Sequence, residues 1–223
     1  MDLWRIISFT LEVALASTAI ILLPGLLLSW ALSKSWPGKA VIEALVSVPL
    51  VIPPTAIGLV LLIALGPVSP VGRWLHETLG WEVAFTWRAV VLSCAVVSFP
   101  LFVRQARSAL EEVDPAILGV ARTLGRGPVA CFVQVHAPLA WRGILAGLVL
   151  AFTRALGEFG ATIVVAGNIP GQTQTLALAL FQQIQVGREW EAMKLAAIST
   201  LIAVIALAWV ELLTRSRDRA MSR

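Results

Sequence analysis

The chain has 223 residues, of which 58% are hydrophobic and only 13% charged, and its mean hydropathy is +0.87. A water-soluble domain carries charge on roughly a quarter of its residues, so this composition excludes an ordinary soluble enzyme and leaves no room for a separate soluble catalytic domain. A net charge of +4 does not point to nucleic acid, because the basic residues fall between apolar runs and do not build one basic face.

Residues 13–33, 44–72 and 195–210 contain no Asp, Glu, Lys or Arg. About 18–20 apolar residues span a bilayer; the first two runs exceed that length and the third reaches it with its flanks. The pattern predicts an all-α polytopic membrane protein with five spans, near 6–32, 44–66, 83–104, 142–166 and 192–213. The first reads as an uncleaved span and not a signal peptide: its apolar stretch outruns a typical h-region, and Asp2 and Arg5 leave the leader without net charge. Pro24-Gly25, Pro49, Pro53-Pro54 and Gly58 would wreck a soluble helix, but a membrane bundle tolerates them where neighbours or water satisfy the freed backbone groups. Residues 172–187, QTQTLALALFQQIQVG, are too short and too polar-flanked to cross. They read as a helix or re-entrant segment on the outer side, the alternative being a sixth span.

Charge sets the expected orientation. Lys34, Lys39, Arg104, Arg107, Arg122, Arg126, Arg142, Arg215, Arg217, Arg219 and Arg223 fall on one side, while Arg5, Arg73 and Arg188 fall on the other beside Glu77, Glu82, Glu189 and Glu191. The positive-inside rule then puts the N-terminus outside and the C-terminus in the cytoplasm. Trp4, Trp74, Trp81, Trp87 and Trp190 gather toward the expected outer interface, and Trp30, Trp36, Trp141 and Trp209 toward the inner one. The short tail TRSRDRAMSR leads us to expect no appended regulatory domain. Cys94 in a span and Cys131 in a basic loop offer no disulfide framework. His76 and His136 are too isolated for a metal site and read as surface or interfacial. Glu12, Glu43, Glu158 and Glu211 are too scattered for an intramembrane enzyme; Glu12 and Glu211, near span ends, would face water or partner helices.

Two segments carry the functional signal. Within the cytoplasmic interval 105–141, Asp114-Pro115 is a helix start, an oxygen cap followed by a residue needing no amide partner. Ile117, Val120, Ala121 and Leu124 follow one helix face, Arg122 suits the negative end, and Gly125 with Gly127-Pro128 stops the helix. About ten residues of isolated helix are marginal in water, so something must cover that face. The protein's own helix ends, the lipid interface and a cytoplasmic partner all qualify. The second segment is AFTRALGEFGATIVVAGNIPG, residues 151–171. Arg154 and Glu158, four apart on one expected helix face, are costly charges that face protein or water, as a structural pair, a pathway lining, or both. Gly157 and Gly160 permit close approach or bending, and Asn168-Ile169-Pro170-Gly171 reads as a turn.

The 105–141 interval resembles the conserved cytoplasmic loop of bacterial binding-protein-dependent ABC importer permeases. That loop reads Glu-Ala-Ala, three residues, Gly, then about nine residues before a hydrophobic-Leu-Pro ending. Here the matching positions are Gly119-Val120-Ala121, Gly125 and Val135-His136-Ala137-Pro138, with Gly119, Val120 and Ala137 departing from the pattern. The resemblance extends over nearly the whole chain through SVPLVIPPTAIGLVLLIALG, SFPLFVRQARSALEEVD and the Gly-Glu-Phe-Gly block, which are similar to the permeases of bacterial molybdate importers. It implies a type I, MetI-like helical bundle forming a single permease domain over 1–223, in the bacterial inner membrane. It implies a homodimer around a passage, a cytoplasmic ABC ATPase dimer and a periplasmic oxyanion-binding protein, with molybdate as substrate. Sulfate, thiosulfate and tungstate importers are similar in the same blocks. The resemblance makes residues 115–127 the coupling helix, with Ile117, Val120, Ala121, Leu124, Gly125 and Pro138 as coupling positions, and leaves Arg154, Glu158, Gly160 and Asn168 as pathway or helix-pairing positions. The chain has no Gly-x-x-x-x-Gly-Lys-Ser/Thr loop, so it needs no cofactor of its own and the partner ATPase would use ATP and Mg. An ATP-independent secondary anion transporter and a purely structural membrane subunit are the competing classes.

Overall fold

The computed structural model describes residues 2–215, with side-chain surroundings through Trp209. Arg217, Arg219 and Arg223 lie outside the described residues, as do the side chains of Glu211 and Arg215. Among the described residues all regular structure is helical: α1 (Leu3–Leu32), α2 (Lys39–Val51), α3 (Pro54–Leu65), α4 (Pro70–Leu79), α5 (Trp87–Glu111), α6 (Pro115–Thr123), α7 (Pro128–Leu139), α8 (Trp141–Leu156), α9 (Gly160–Val165), α10 (Leu176–Gln185) and α11 (Glu189–Arg215).

The core is the packing of α1, α5 and α8. Ile21, Ala95, Phe102, Ala106, Ala109 and Ile144 form one buried cluster, and Val13, Val90, Cys94, Ala155 and Leu156 another. Lipid is as apolar as these side chains, so close approach by small residues supplies much of the attraction. A Cβ at Gly25 of α1 would sit 2.5 Å from the Phe102 ring of α5. Four residues on, the Ser29 hydroxyl donates to Gly25 O at 2.7 Å and to Val103 O at 3.0 Å, tying the same two helices.

Helices α1, α5 and α11 are each long and apolar enough to cross a membrane. The second and fourth expected spans are not continuous rods. Between α2 and α3 the chain bends by 108°, because Pro53 and Pro54 cannot donate backbone hydrogen bonds and Ile52, preceding proline, is driven to an extended ψ of 138°. The region expected as 142–166 is divided into α8 and α9 by residues 157–159, and α7 meets α8 at a 75° bend. Counting each bent pair as one crossing brings the total from three to five.

The two broken regions meet. A Cβ at Gly58 of α3 would lie 2.5 Å from Ala161 O and 2.9 Å from Ala161 Cα, and one at Gly160 would lie 2.8 Å from Pro54 Cβ. Thus α3 and α9 touch through backbone. Helix α10 is ten residues long, about 15 Å at 1.5 Å per residue, too short for the alternative sixth span. Its first turn is held by α1, where Thr10 Oγ1 accepts from Leu176 N at 2.9 Å. Helix α4 was not expected: Ser69 accepts from Gly72 N at 2.7 Å to start it, and Gly80 at φ +64° ends it.

Gly58→Ala forces a Cβ against an immovable backbone and should destabilise the protein by about 1–3 kcal/mol, lowering its Tm in detergent. Gly119→Ala, with nothing within 4 Å of its added carbon, should leave the Tm unchanged or raise it.

Candidate functional site

Helix α6 forms as its end signals dictate. Asp114 accepts from Ala116 N at 2.8 Å. At the other end Gly125 takes φ +79°, its N–H donates to Arg122 O at 3.0 Å, and Arg126 N donates to Ala121 O at 3.2 Å. These two bonds are the Schellman closure that a left-handed glycine makes possible. On the apolar face Ala121 is buried at 7% exposure, whereas Ile117, Val120 and Leu124 are exposed at 45%, 60% and 77%. The protein's own helix ends therefore do not cover this face. Val129 and Val133 on α7 are exposed as well, and Pro138 lies further along that helix, also exposed.

The base of α6 is closely packed. Helix α7 contains a π turn over Phe132–His136, in which Ala137 N–H reaches back five residues to Phe132 O. Pro138 follows it and has no amide to donate, so a regular ladder was unavailable there. His136 is buried, correcting the surface or interfacial expectation: its Nε2 lies 2.8 Å from Leu110 O near the end of α5. A carbonyl only accepts, so Nε2 carries the proton. Phe132 meets His136 edge-on and packs against Trp30 at 4.6 Å between centroids, with Lys34 Nζ 3.5 Å above the Trp30 ring. Cys131, expected in a loop, is buried on α7. The end of α1, the end of α5 and the segment after α6 thus form one packed unit.

Beside it lies an ion cluster whose members are far apart in sequence. Arg107 of α5 reaches Glu43 of α2 at 2.7 Å through Nη1 and Glu111 at 2.7 Å through Nε. Lys39 lies 3.6 Å from Glu43 and 3.5 Å from Glu111. The signal available in sequence was two i,i+4 pairs, Lys39–Glu43 and Arg107–Glu111; their mutual approach is tertiary.

Arg154 and Glu158 do pair, at 2.8 Å between Nη2 and Oε2. Glu158, however, is not on the helix that carries Arg154. Helix α8 ends at Leu156 and Glu158 stands in the break, where its other oxygen accepts from Ala161 N at 2.8 Å. The carboxylate is 1% exposed and the Arg154 side chain 30%. One anion therefore ties the last turn of α8 to the first turn of α9 and satisfies an amide freed by the break. Asn168 belongs to a separate amide network: Gln174 Nε2 donates to Asn168 Oδ1 at 3.1 Å and to Gln182 Oε1 at 2.6 Å. That network fastens the turn after α9 to α10.

A bundle of long and broken apolar helices, with one short helix whose apolar face its own chain leaves bare, defines a multi-pass membrane component built to work with other chains. The family model described as binding-protein-dependent transport system inner membrane component matches residues 6–219, and the chain belongs to that family. It is 42% identical over 220 residues to the molybdenum transport system permease protein ModB of Escherichia coli, covering 97% of this chain and 96% of that one. It is 34% identical over 184 residues to the sulfate transport system permease protein CysT of the same species, covering 82% and 65%. Among solved structures, a chain of the inward-facing MetNI methionine ABC transporter superposes with a TM-score of 0.72 at 17% identity, covering 99% of this chain and 96% of that chain, which shows a shared fold.

Glu158→Ala leaves Ala161 N–H and Arg154 without their partner and should cost about 1–3 kcal/mol of stability. Glu158→Gln keeps an acceptor for the amide and should lose less. A Tm series with Arg154→Ala and Arg154→Lys checks the pair: the lysine variant should lie closer to wild type.

Proposed function

We propose that this chain is the permease subunit of an ATP-driven importer that carries molybdate into the cytoplasm by alternating access. Two copies surround a passage, a cytoplasmic ABC ATPase dimer sits beneath, and a periplasmic oxyanion-binding protein delivers the anion. The whole of 1–223 acts as one permease domain in the bacterial inner membrane, N-terminus outside and C-terminus inside, as the distribution of arginines and lysines favours. ATP and Mg are used by the partner, which supplies the chemical step.

The observation that carries this reading is the bare face of α6. A nine-residue helix with Ile117, Val120 and Leu124 exposed is stabilised when a groove on another chain buries them, a helix-in-groove contact. Ala121 and Gly125 shape the helix, and Pro138 with its π turn shapes the support behind it. When ATP closes the ATPase dimer, α6 is displaced. His136 and Leu110 pass that displacement to α5, and the Arg107–Glu43 pair passes it to α2. Helix α2 leads into the 108° bend, and beyond it Gly58 rests on α9 beside the Glu158 break. Motion is thereby directed to the two places where the spans are already interrupted, with Gly160 at their contact and Asn168 in the network that limits α10. The substrate assignment rests on full-length similarity to a molybdenum permease exceeding that to a sulfate permease. Arg154 is not a high-affinity oxyanion site in this account, because Glu158 offsets its field.

Three experiments test it. With the reconstituted importer and its binding protein, ATP-coupled molybdate uptake should dominate over sulfate in competition; sulfate-dominated uptake would overturn the substrate and keep the architecture. Val120→Glu places a charge in the expected groove and should abolish uptake while the permease still folds, whereas Val120→Cys should form a disulfide with a cysteine placed in the ATPase groove. Arg107→Ala should reduce uptake more than it reduces ATP hydrolysis, since it weakens transmission and leaves the ATPase contact intact.

A further inference from the structure

A cavity of about 1020 Å³ opens between the first turns of α1, the start of α5 and the turn at residues 170–174. It is separate from both the α6 face and the Glu158 break. Two guanidiniums line it, Arg5 and Arg88, and each is placed by its surroundings. Arg5 donates through Nη2 to Gly171 O at 2.9 Å. Gly171 sits at φ +76°, and a Cβ there would lie 3.4 Å from Arg5 Cζ, so the guanidinium lies directly against the bare glycine. Arg88 is held 5.3 Å from the ring centroids of both Trp81 and Trp87 and donates through Nη1 to Glu82 O at 3.3 Å. Both hydrogen bonds end on backbone carbonyls, not on carboxylates, so each guanidinium keeps donors and its full charge for a ligand.

The wall also holds two carboxylates. Asp2 is engaged in capping, accepting from Arg5 N at 3.3 Å. Glu12 lies seven residues further along α1, about 10 Å deeper at 1.5 Å per residue. The tryptophans that flank Arg88 suit the level at which a membrane protein meets headgroups. We propose that this cavity binds a tetrahedral oxyanion group through Arg5 and Arg88, in the charge-assisted geometry that a planar guanidinium offers to phosphate-like oxygens. Such a group reaches it from one of two sources: the phosphodiester of a membrane phospholipid, or a free oxyanion in water. The free-oxyanion source rests on the proposed function and the lipid source does not; binding is measured without ATP or binding protein, so its failure is distinct from a failure of uptake.

The test uses the assembled permease–ATPase complex, delipidated in detergent, with two probes in separate arms. Native mass spectrometry counts dioleoylphosphatidylglycerol retained per complex, and calorimetry follows titration with sodium molybdate. Wild type should bind at least one probe, and that arm names the source. Arg5→Gln with Arg88→Gln should reduce occupancy in that arm at least tenfold, while Arg88→Lys retains part of it. Arg88→Gln alone, beside Arg88→Lys, supplies the same comparison if the double variant does not assemble. Equal binding by wild type and the glutamine variants, or no binding of either probe by wild type, would overturn the proposal.

Discussion

Where a helix breaks within a membrane, the amides and carbonyls it releases find no water in the hydrocarbon, and each must be given a partner by the protein. Among the described residues the second and fourth expected spans are interrupted, and the interruption at 157–159 depends on one carboxylate. Glu158 takes Arg154 with one oxygen and Ala161 N–H with the other. Without Arg154 a nearly inaccessible carboxylate would be left without its charge partner, and without the carboxylate the first turn of α9 would begin with an unpaired amide. The first interruption is solved differently. Prolines carry no amide to satisfy, and Pro54 opens α3 at the position where a missing N–H costs nothing.

The two interruptions are in contact, which gives the membrane region its mechanical character. Gly58 against Ala161 and Gly160 against Pro54 bring the two bends into close contact. At the opposite reach of α2 and α5, the Lys39–Glu43–Arg107–Glu111 cluster and the His136–Leu110 hydrogen bond join the helices to the support of α6. In the proposed mechanism these joints are rigid and the bends are compliant. Force entering at Val120 is then delivered to α3 and α9.

The signals that were local were readable. Asp114-Pro115 and Gly125 bound α6 because capping involves only neighbouring backbone groups, and an i,i+4 spacing brought Arg154 to Glu158 even though the helix ends between them. Tertiary consequences were not readable. His136 resembles any isolated polar residue until α5 supplies a carbonyl for its ring. The second and fourth spans looked continuous because hydropathy counts apolar residues and is blind to direction; Pro53-Pro54 and the glycines around Glu158 showed that bending was tolerated, not that it reached 108°. Helix α4 was legible: Ser69-Pro70 and Gly80 are ordinary start and stop signals, set beside a longer apolar run that dominates the hydropathy. The ion cluster joins residues 39 and 111, a separation at which pattern alone carries no pairing information.

In the proposed mechanism a separate nucleotide-hydrolysing chain drives this one through α6. Proteoliposomes holding the permease alone, and others holding it with the ATPase, should be loaded with binding protein and radiolabelled molybdate on the delivering side. Accumulation against a gradient only when the ATPase and ATP are both present is the expected result. Accumulation by the permease alone, under an ion gradient and with no ATPase in the vesicle, would contradict it.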